Sequence, residues 1–571
     1  MRSRFIALIA VAVSGSPALH SQNANSNDVI LNAMRDEMAR SVQQLTVGNL
    51  EKPYFISYRV VDSQTANVSA NFGALTHSSK SRSRRLTVEV RVGDYKLDNS
   101  HFFSFDFDNG TRLRIFNGTV TLPLEDDYKE VRRQLWLATD GAYKKAVEDL
   151  SKKRGLLQAQ TREDDSDDFS KEDPLVSSYE LPAVQVDLAA WEKEARELSG
   201  LFRQMPGIYT SSIVFNSFDH YTRFLTSEGT SYTRREPSLT FTGNASTQAS
   251  DGMPLDDLIW AQARSLAEMP SQQELASRLQ RMGHDLTELR DANTLANYNG
   301  PVLVEGDAAP LLVRWVLLPS LVAVKRTVAD RMFSRANQNQ AENPFLDKIG
   351  ARVLPEFLTL TDDPTIHEFE HQPFAGFSKM DDDGIPSRRV VLVDKGILKT
   401  LLASRDPVRG IDHSTGSRHA GQASPSNVVM TASDGLSQTD LRAKFLQMVK
   451  DRNRPYGIVV RRTRNGGNSH NTILAYKLFP DGHEELVRGM QLFQFTASSF
   501  KDIAAASRDL NIMTLRYQPP AMQFSFPNEG DENFTPVSVA VPSLLFDDAT
   551  MRKIRAAAPN PPVLKPPFFD K

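Results

Sequence analysis

Apolar residues recur at helical spacing near the start of the chain. Within Asp28 to Leu45, Ile30, Met34, Met38 and Val42 fall near one face behind Asp28, an N-cap candidate, so an amphipathic helix is expected there. The period then changes. Tyr54 to Val61 and Arg85 to Val92 are rich in β-branched and aromatic residues, the second alternating cleanly, and both predict strands. The basic run between them, Ser78 to Arg85, has no interleaved aromatics and reads as a solvated loop leading into a strand. Asp126 to Lys153 returns to helical spacing through Val131, Leu135, Ala138, Ala142, Ala146 and Leu150, and Trp191 to Met205 predicts another helix.

Further along, Ser211 to Thr242 reads as strands joined at the turn "SEGT", and Ala261 to Arg290 as a polar helical connector. A short apolar strand in "NYNGPVLVEG", Asn297 to Gly306, precedes an expected helix over Asp307 to Met332. Beyond it the pattern is mostly β, with hairpin signals at "DKG" (394–396) and "PDG" (480–482) and a Gly-rich turn in "RRTRNGGN". The acidic stretch Arg162 to Asp173 reads as a mobile surface loop, lacking the Gly turn and terminal Glu of a calcium loop.

A chain of 571 residues is long enough for two or more domains, and a boundary is expected near 290–297. The fold class expected is α+β. Apolar residues at 40%, charged residues at 24% and a net charge of −3 give no reason to expect nucleic acid as a partner. Residues 1–22 have the layout of a secretory signal: Arg2 and Arg4, an apolar run from Phe5 to Val13, then small and polar residues, with cleavage expected between Ala18 and Gln22. Export to a periplasmic or extracellular location is expected, with no membrane span after cleavage. No cysteine is present, so disulfides and thiolate ligands are excluded and any metal site must use His, Asp and Glu. The tail 551–571 is Pro-rich and expected to be extended.

One motif raises a sharp chemical question. "HEFEH" supplies His367, Glu368 and His371 in the pattern His-Glu-x-x-His, which holds zinc when a helix sets both imidazoles on one face and the Glu beside the metal-bound water. Pro373 disfavours helix at Gln372, so the segment is expected to be strand and loop and the match fortuitous. A second pair, His413 and His419, lies in a Ser/Thr/Gly-rich stretch with loop composition. No Gly-x-Ser-x-Gly elbow or phosphate-cradling Gly-rich loop is present.

Several stretches of the second half, read in order, carry a resemblance: Asn343 to Thr365 ("NPFLDKIGARVLPEFLTLTDDPT"), Asp381 to Val408, "STGSRHA" at Ser414 to Ala420, "VRGMQL" at Val487 to Leu492, and Val537 to Asp548. Together they resemble the C-terminal domain of the TldD/TldE (PmbA) metallopeptidase family, with the opening helix and "EKPYFISYRVVDS" more loosely similar in the first half. The resemblance implies an N-terminal mixed α/β region over 23–295 and a mainly antiparallel β domain of the TldD/PmbA type over 296–550. Catalytic members hold zinc through His-Glu-x-x-x-His on a helix near the start of that domain, with a later cysteine. The equivalent segment here is Pro310 to Ala323, which has no histidine. That departure resembles the TldE side of the pair and implies a non-catalytic subunit: no catalytic residue or metal in this chain, zinc in a TldD-like partner within a heterodimer or larger assembly, and unfolded peptide as substrate. By the same resemblance the loop with His413, Thr415, Gly416 and Arg418 lines a peptide or partner groove. The alternatives are a self-sufficient zinc peptidase using His367, Glu368 and His371, and a peptide-binding envelope protein with no proteolytic role.

Overall fold

The computed structural model describes residues 28–103, 106–108, 112–114, 118–159, 164–329, 343–465, 470–517 and 535–554. The expected leader, the turn at 466–469 and the tail from 555 lie outside them.

Helix α1 (Val29–Gln44) starts where expected, with the Asp28 carboxylate accepting the Leu31 N–H at 2.9 Å. Strands β1 (Pro53–Asn71) and β2 (Ala74–Val92) then form one long antiparallel ribbon. The basic run 78–85 is therefore strand and not loop: Ser78 pairs with Val68 and Arg85 with Val61. The partner strand supplies a full ladder of backbone hydrogen bonds, while most of the run's side chains remain in water. Arg84 is the exception, buried in an ion pair with Asp62 at 2.7 Å.

After α2 (Tyr128–Ala159) come β3 (Val176–Glu180), α3 (Leu188–Gly200), β4 (Thr210–Thr226), β5 (Ser231–Gln248), β6 (Pro254–Ala263) and α4 (Gln272–Asp291). The sheet runs β6-β5-β4-β1-β2 and ends on Thr119–Thr121, with β3 parallel to β5. Ile56, Tyr58 and Val60 pack with α1 and α2, and Val68, Ile213 and Phe241 pack with α3 and α4. The helices thus cover one face, and alternation turns Ser57, Arg59 and Val61 of β1 to the other. Two expectations fail here. Residues 261–290 are not a polar connector: β6 ends in them, and α4 buries Leu275, Leu279, Met282, Leu286 and Leu289. Nor are residues 164–173 a mobile loop. Asp168 and Phe169 are buried, Asp168 accepts from Lys153 at 2.6 Å, and Arg405 lies 3.9 Å above the Phe169 ring.

The second half contains β7 (Tyr298–Val304), β8 (Leu358–Asp362), β9 (Val390–Asp394), β10 (Asn427–Ala432), α5 (Gln438–Asp451), β11 (Gly457–Asn465), β12 (His470–Leu478), β13 (Glu484–Arg488), β14 (Ile503–Tyr517) and β15 (Thr535–Lys553). They build a mixed sheet in the order β13-β12-β11-β7-β15-β10-β8-β9, with β14 also on β15. Most pairings are antiparallel; β7 with β11 and β10 with β15 are parallel. The expected helix over 307–332 is replaced by a short helix Ala308–Leu312, a π-helical turn Val313–Leu317 and a 3-10 turn Leu318–Leu321. Pro319 lacks the N–H a continuing helix needs, and Val322 is already extended. The architecture is α+β, and among the described residues no helix is long and apolar enough to cross a membrane.

Candidate functional site

The uncovered face of the first sheet and the loops of the second enclose a cleft of about 470 Å³. That volume suits a short peptide segment or a small molecule. β1 contributes Arg59, β5 contributes Arg234 and Glu236, and β6 contributes Gln262, with Arg264 just beyond it. From the second half come Phe377, Asp382, Asp383, Arg418 and His419.

Asp382 lies at the centre of the contact between the halves. Its Oδ1 accepts from Arg234 at 2.7 Å and lies 3.9 Å from Arg59, and its carbonyl accepts from Arg59 and, at 3.0 Å, from the Tyr232 hydroxyl. Burial alone would raise the Asp382 carboxyl; Arg59 and Arg234 outweigh it and hold the group well below the usual carboxylate range. Beside it, Asp383 accepts from Arg418 at 2.9 Å. Asp381 closes the turn by accepting N–H groups from Asp383, Ile385 and Arg418, and burial with the Asp383 charge raises its carboxyl. Burial, reinforced by Arg234 and opposed by Asp382, keeps the His419 imidazole below its ordinary value.

Arg264 differs from these arginines. Its guanidinium donates to the Ala375 and Phe377 carbonyls and lies 5.2 Å from the centre of the Phe377 ring, with no carboxylate in ion-pair range among the described residues. Burial, opposed chiefly by Glu236, lowers its affinity for the proton.

Of the four residues expected to line a groove, Arg418 alone reaches this cleft. His413 is largely exposed, with Nδ1 3.4 Å from Glu172. Thr415 is buried and donates to the Ala403 carbonyl at 3.0 Å, and Gly416, at φ +74°, packs against the Pro386 carbonyl. These three shape the loop that delivers Arg418. The sequence reading passed over Arg59, Arg234, Arg264 and Asp382. The alternation of "YFISYRVV" separates Arg59 from the core-facing Tyr58 and Val60, but which face meets a second domain is not in the pattern.

The "HEFEH" segment is a tight hairpin in which Glu368–Phe369 pairs with Gln372–Pro373. Glu370 and His371 adopt positive φ of 49° and 64°, so no helical face exists to carry both imidazoles. His367 stacks on Phe377 with ring centres 3.4 Å apart, while His371 is fully exposed. This geometry does not fit a zinc site, and among the described residues no group of three or more His, Asp or Glu is placed to hold a metal ion. The segment after β7 has a different occupant. Arg314 is buried on the π-helical turn, donates from Nε to the Arg516 carbonyl at 2.8 Å, and lies 3.6 Å from the Trp315 ring and 5.2 Å from the Tyr517 ring. Burial pushes its pKa down to about 10.

Residues 314–553 match the model of the PmbA/TldA metallopeptidase C-terminal domain. That match places the second half of the chain in the TldD/TldE/PmbA family, as its C-terminal domain. Two curated relatives share shorter stretches: 38% identity over 73 residues with a metalloprotease of Methanocaldococcus jannaschii, and 36% over 62 residues with one of Archaeoglobus fulgidus. These matches span 15% and 13% of the relatives' own length, and 13% and 11% of this chain. Solved structures are similar over nearly the whole chain. TldE from Thermococcus kodakarensis superimposes over 91% of this chain and 99% of its own, with 13% identity and a TM-score of 0.54. Two proteins described as candidate modulators of DNA gyrase do likewise. The Thermotoga maritima protein covers 91% of this chain and 99% of its own at 12% identity and TM-score 0.57. The Bacteroides thetaiotaomicron protein covers 93% and 100% at 13% identity and TM-score 0.58. At such identities the likeness establishes the fold.

Proposed function

We propose that this chain is an exported, non-catalytic, TldE-like subunit that pairs with a zinc-bearing TldD-like homologue and holds unfolded peptide in the cleft between its two sheets. The observation that carries the reading is Arg314. Where the family resemblance places a zinc-binding helix, this chain has a π-helical turn with a buried guanidinium that is cationic at neutral pH. A cation fixed by one carbonyl and two aromatic rings opposes a second, doubly charged cation at the same place. The hairpin fold of residues 367–373 supports the same reading against a zinc site rebuilt on His367, Glu368 and His371. Without a metal of its own, the chain's task is to bind and orient peptide, and the partner supplies the hydrolytic chemistry.

The test is bound zinc per purified mature chain after dialysis against zinc-containing and then metal-free buffer, together with peptide hydrolysis by the chain alone. No retained zinc and no hydrolysis are expected, with activity appearing on addition of a zinc-bearing homologue from the same host. Near-stoichiometric zinc that is lost in the double variant His367→Ala/His371→Ala, with chelator-sensitive hydrolysis by the chain alone, would overturn the proposal.

A further inference from the structure

The cleft is unequally charged. Six arginines and four carboxylates line it, an excess of two positive charges. The carboxylates are already engaged: Asp382 with Arg59 and Arg234, Glu236 with Arg234, Asp383 with Arg418, and Glu89 with Arg91 behind the lining. Arg264 has none of them within ion-pair range: its guanidinium meets two carbonyls and the Phe377 ring, while Glu236 and Glu268 act on it only from farther away. A half-buried guanidinium without a counter-ion on a concave surface is suited to a carboxylate, which it can take bidentately.

A second, independent observation lies on the same strand face. Along β6, Ile259, Ala261 and Ala263 enter the core, so Trp260 and Gln262 project from the opposite face, toward which Arg264 continues the alternation. Gln262 lines the cleft; its Nε2 donates to Ser238 at 3.2 Å, but its buried Oε1 accepts nothing. Buried polar atoms are rarely left without partners in a folded chain, and here an orphaned acceptor lies two residues from a cation with no carboxylate in ion-pair range. A peptide is a ligand that brings an N–H and a carboxylate together.

Resting on the peptide-holding reading above, we propose that the cleft selects peptides bearing a free carboxylate, which pairs with Arg264 while a peptide N–H donates to Gln262 Oε1. The carboxylate comes from an acidic side chain or from the peptide's own C-terminus.

The proposal is tested by fluorescence polarisation with the purified chain and three labelled peptides of one unfolded, otherwise uncharged sequence. The first has a central Glu and an amidated C-terminus, the second no acid and a free C-terminus, the third no acid and an amidated C-terminus. At least one of the first two is expected to bind about tenfold tighter than the third, and which one does so identifies the source of the carboxylate. Raising sodium chloride from about 50 to about 500 mM should shrink that preference, because screening weakens the ion pair. Arg264→Gln should abolish the preference and Arg264→Lys should retain part of it. Because Arg264 also holds residues 375–377, a thermal melt checks that each variant is folded, and the salt response of the unmodified chain stands whether or not they are. Equal binding of all three peptides would overturn carboxylate selection and leave the peptide-holding reading intact; binding of none would overturn both.

Discussion

Asp362 ends β8 with one oxygen accepting the Ser426 N–H at 2.9 Å and the other buried without a partner. Burial pushes its carboxyl from 3.8 to about 7. The folded chain therefore keeps a proton there that the unfolded chain has lost, so stability falls as pH rises between 3.8 and about 7, and the penalty is full above that window. Asp362→Asn removes the titration. Its stability relative to the parent, from urea midpoints at a series of pH values, should improve toward pH 8 by on the order of 2–4 kcal/mol compared with about pH 4. A constant difference across that range would show that Asp362 titrates normally. Asp381, raised in the same direction, leaves part of the slope in both proteins. The same scale shows what letters leave undetermined. His367 and His371 are spaced for a zinc helix, but a helix needs uninterrupted backbone hydrogen bonds, and Pro373 with the left-handed pair Glu370 and His371 closes the segment as a hairpin instead.

Elements with one face in a core were legible from periodicity: α1, α2, α3, parts of β1 and β2, and β4 and β5 follow the spacing of their apolar residues, whereas β3 and β6 were not foreseen. Elements failed where neighbours decide the outcome. The apolar run after β7 is buried on every side, so its composition cannot distinguish a regular helix from the mixed α, π and 3-10 path it takes. In the loop that delivers Arg418, Gly416 sits at φ +74° and a Cβ there would lie 2.6 Å from the Pro386 carbonyl oxygen. Gly416→Ala should therefore cost about 1–3 kcal/mol, read as a lower urea midpoint at unchanged slope. An unchanged midpoint would mean the loop has a different backbone path.

At the scale of the molecule, the two sheets are held together by charged groups drawn from distant parts of the chain. Arg59 and Arg234 converge on Asp382, Arg405 on Glu228, Arg462 on Asp257, and Lys325 on the Ser166 and Asp167 carbonyls. Asp382→Ala takes the shared carboxylate from Arg59 and leaves Arg234 with Glu236 alone, and should destabilise the fold by about 3–5 kcal/mol. Asp382→Asn, which keeps the shape but not the charge, should cost less, and chemical denaturation of both variants checks the order. Equal stability of Asp382→Ala and the parent would show that the contact contributes nothing.

The sequence by itself determined the α+β class, the positions of most helices and hairpins, and the family of the second half, because these depend on local hydrophobic period, turn residues and the order of short motifs within one stretch of chain. Only the tertiary structure decided that residues 164–173 bind the second half, that Arg264 lacks a counter-ion, and that Arg418 reaches the cleft while His413, Thr415 and Gly416 support its loop. Those facts depend on which charges meet across sheets hundreds of residues apart in sequence. Long-range pairing is set by packing of the whole chain, and local periodicity carries no record of it.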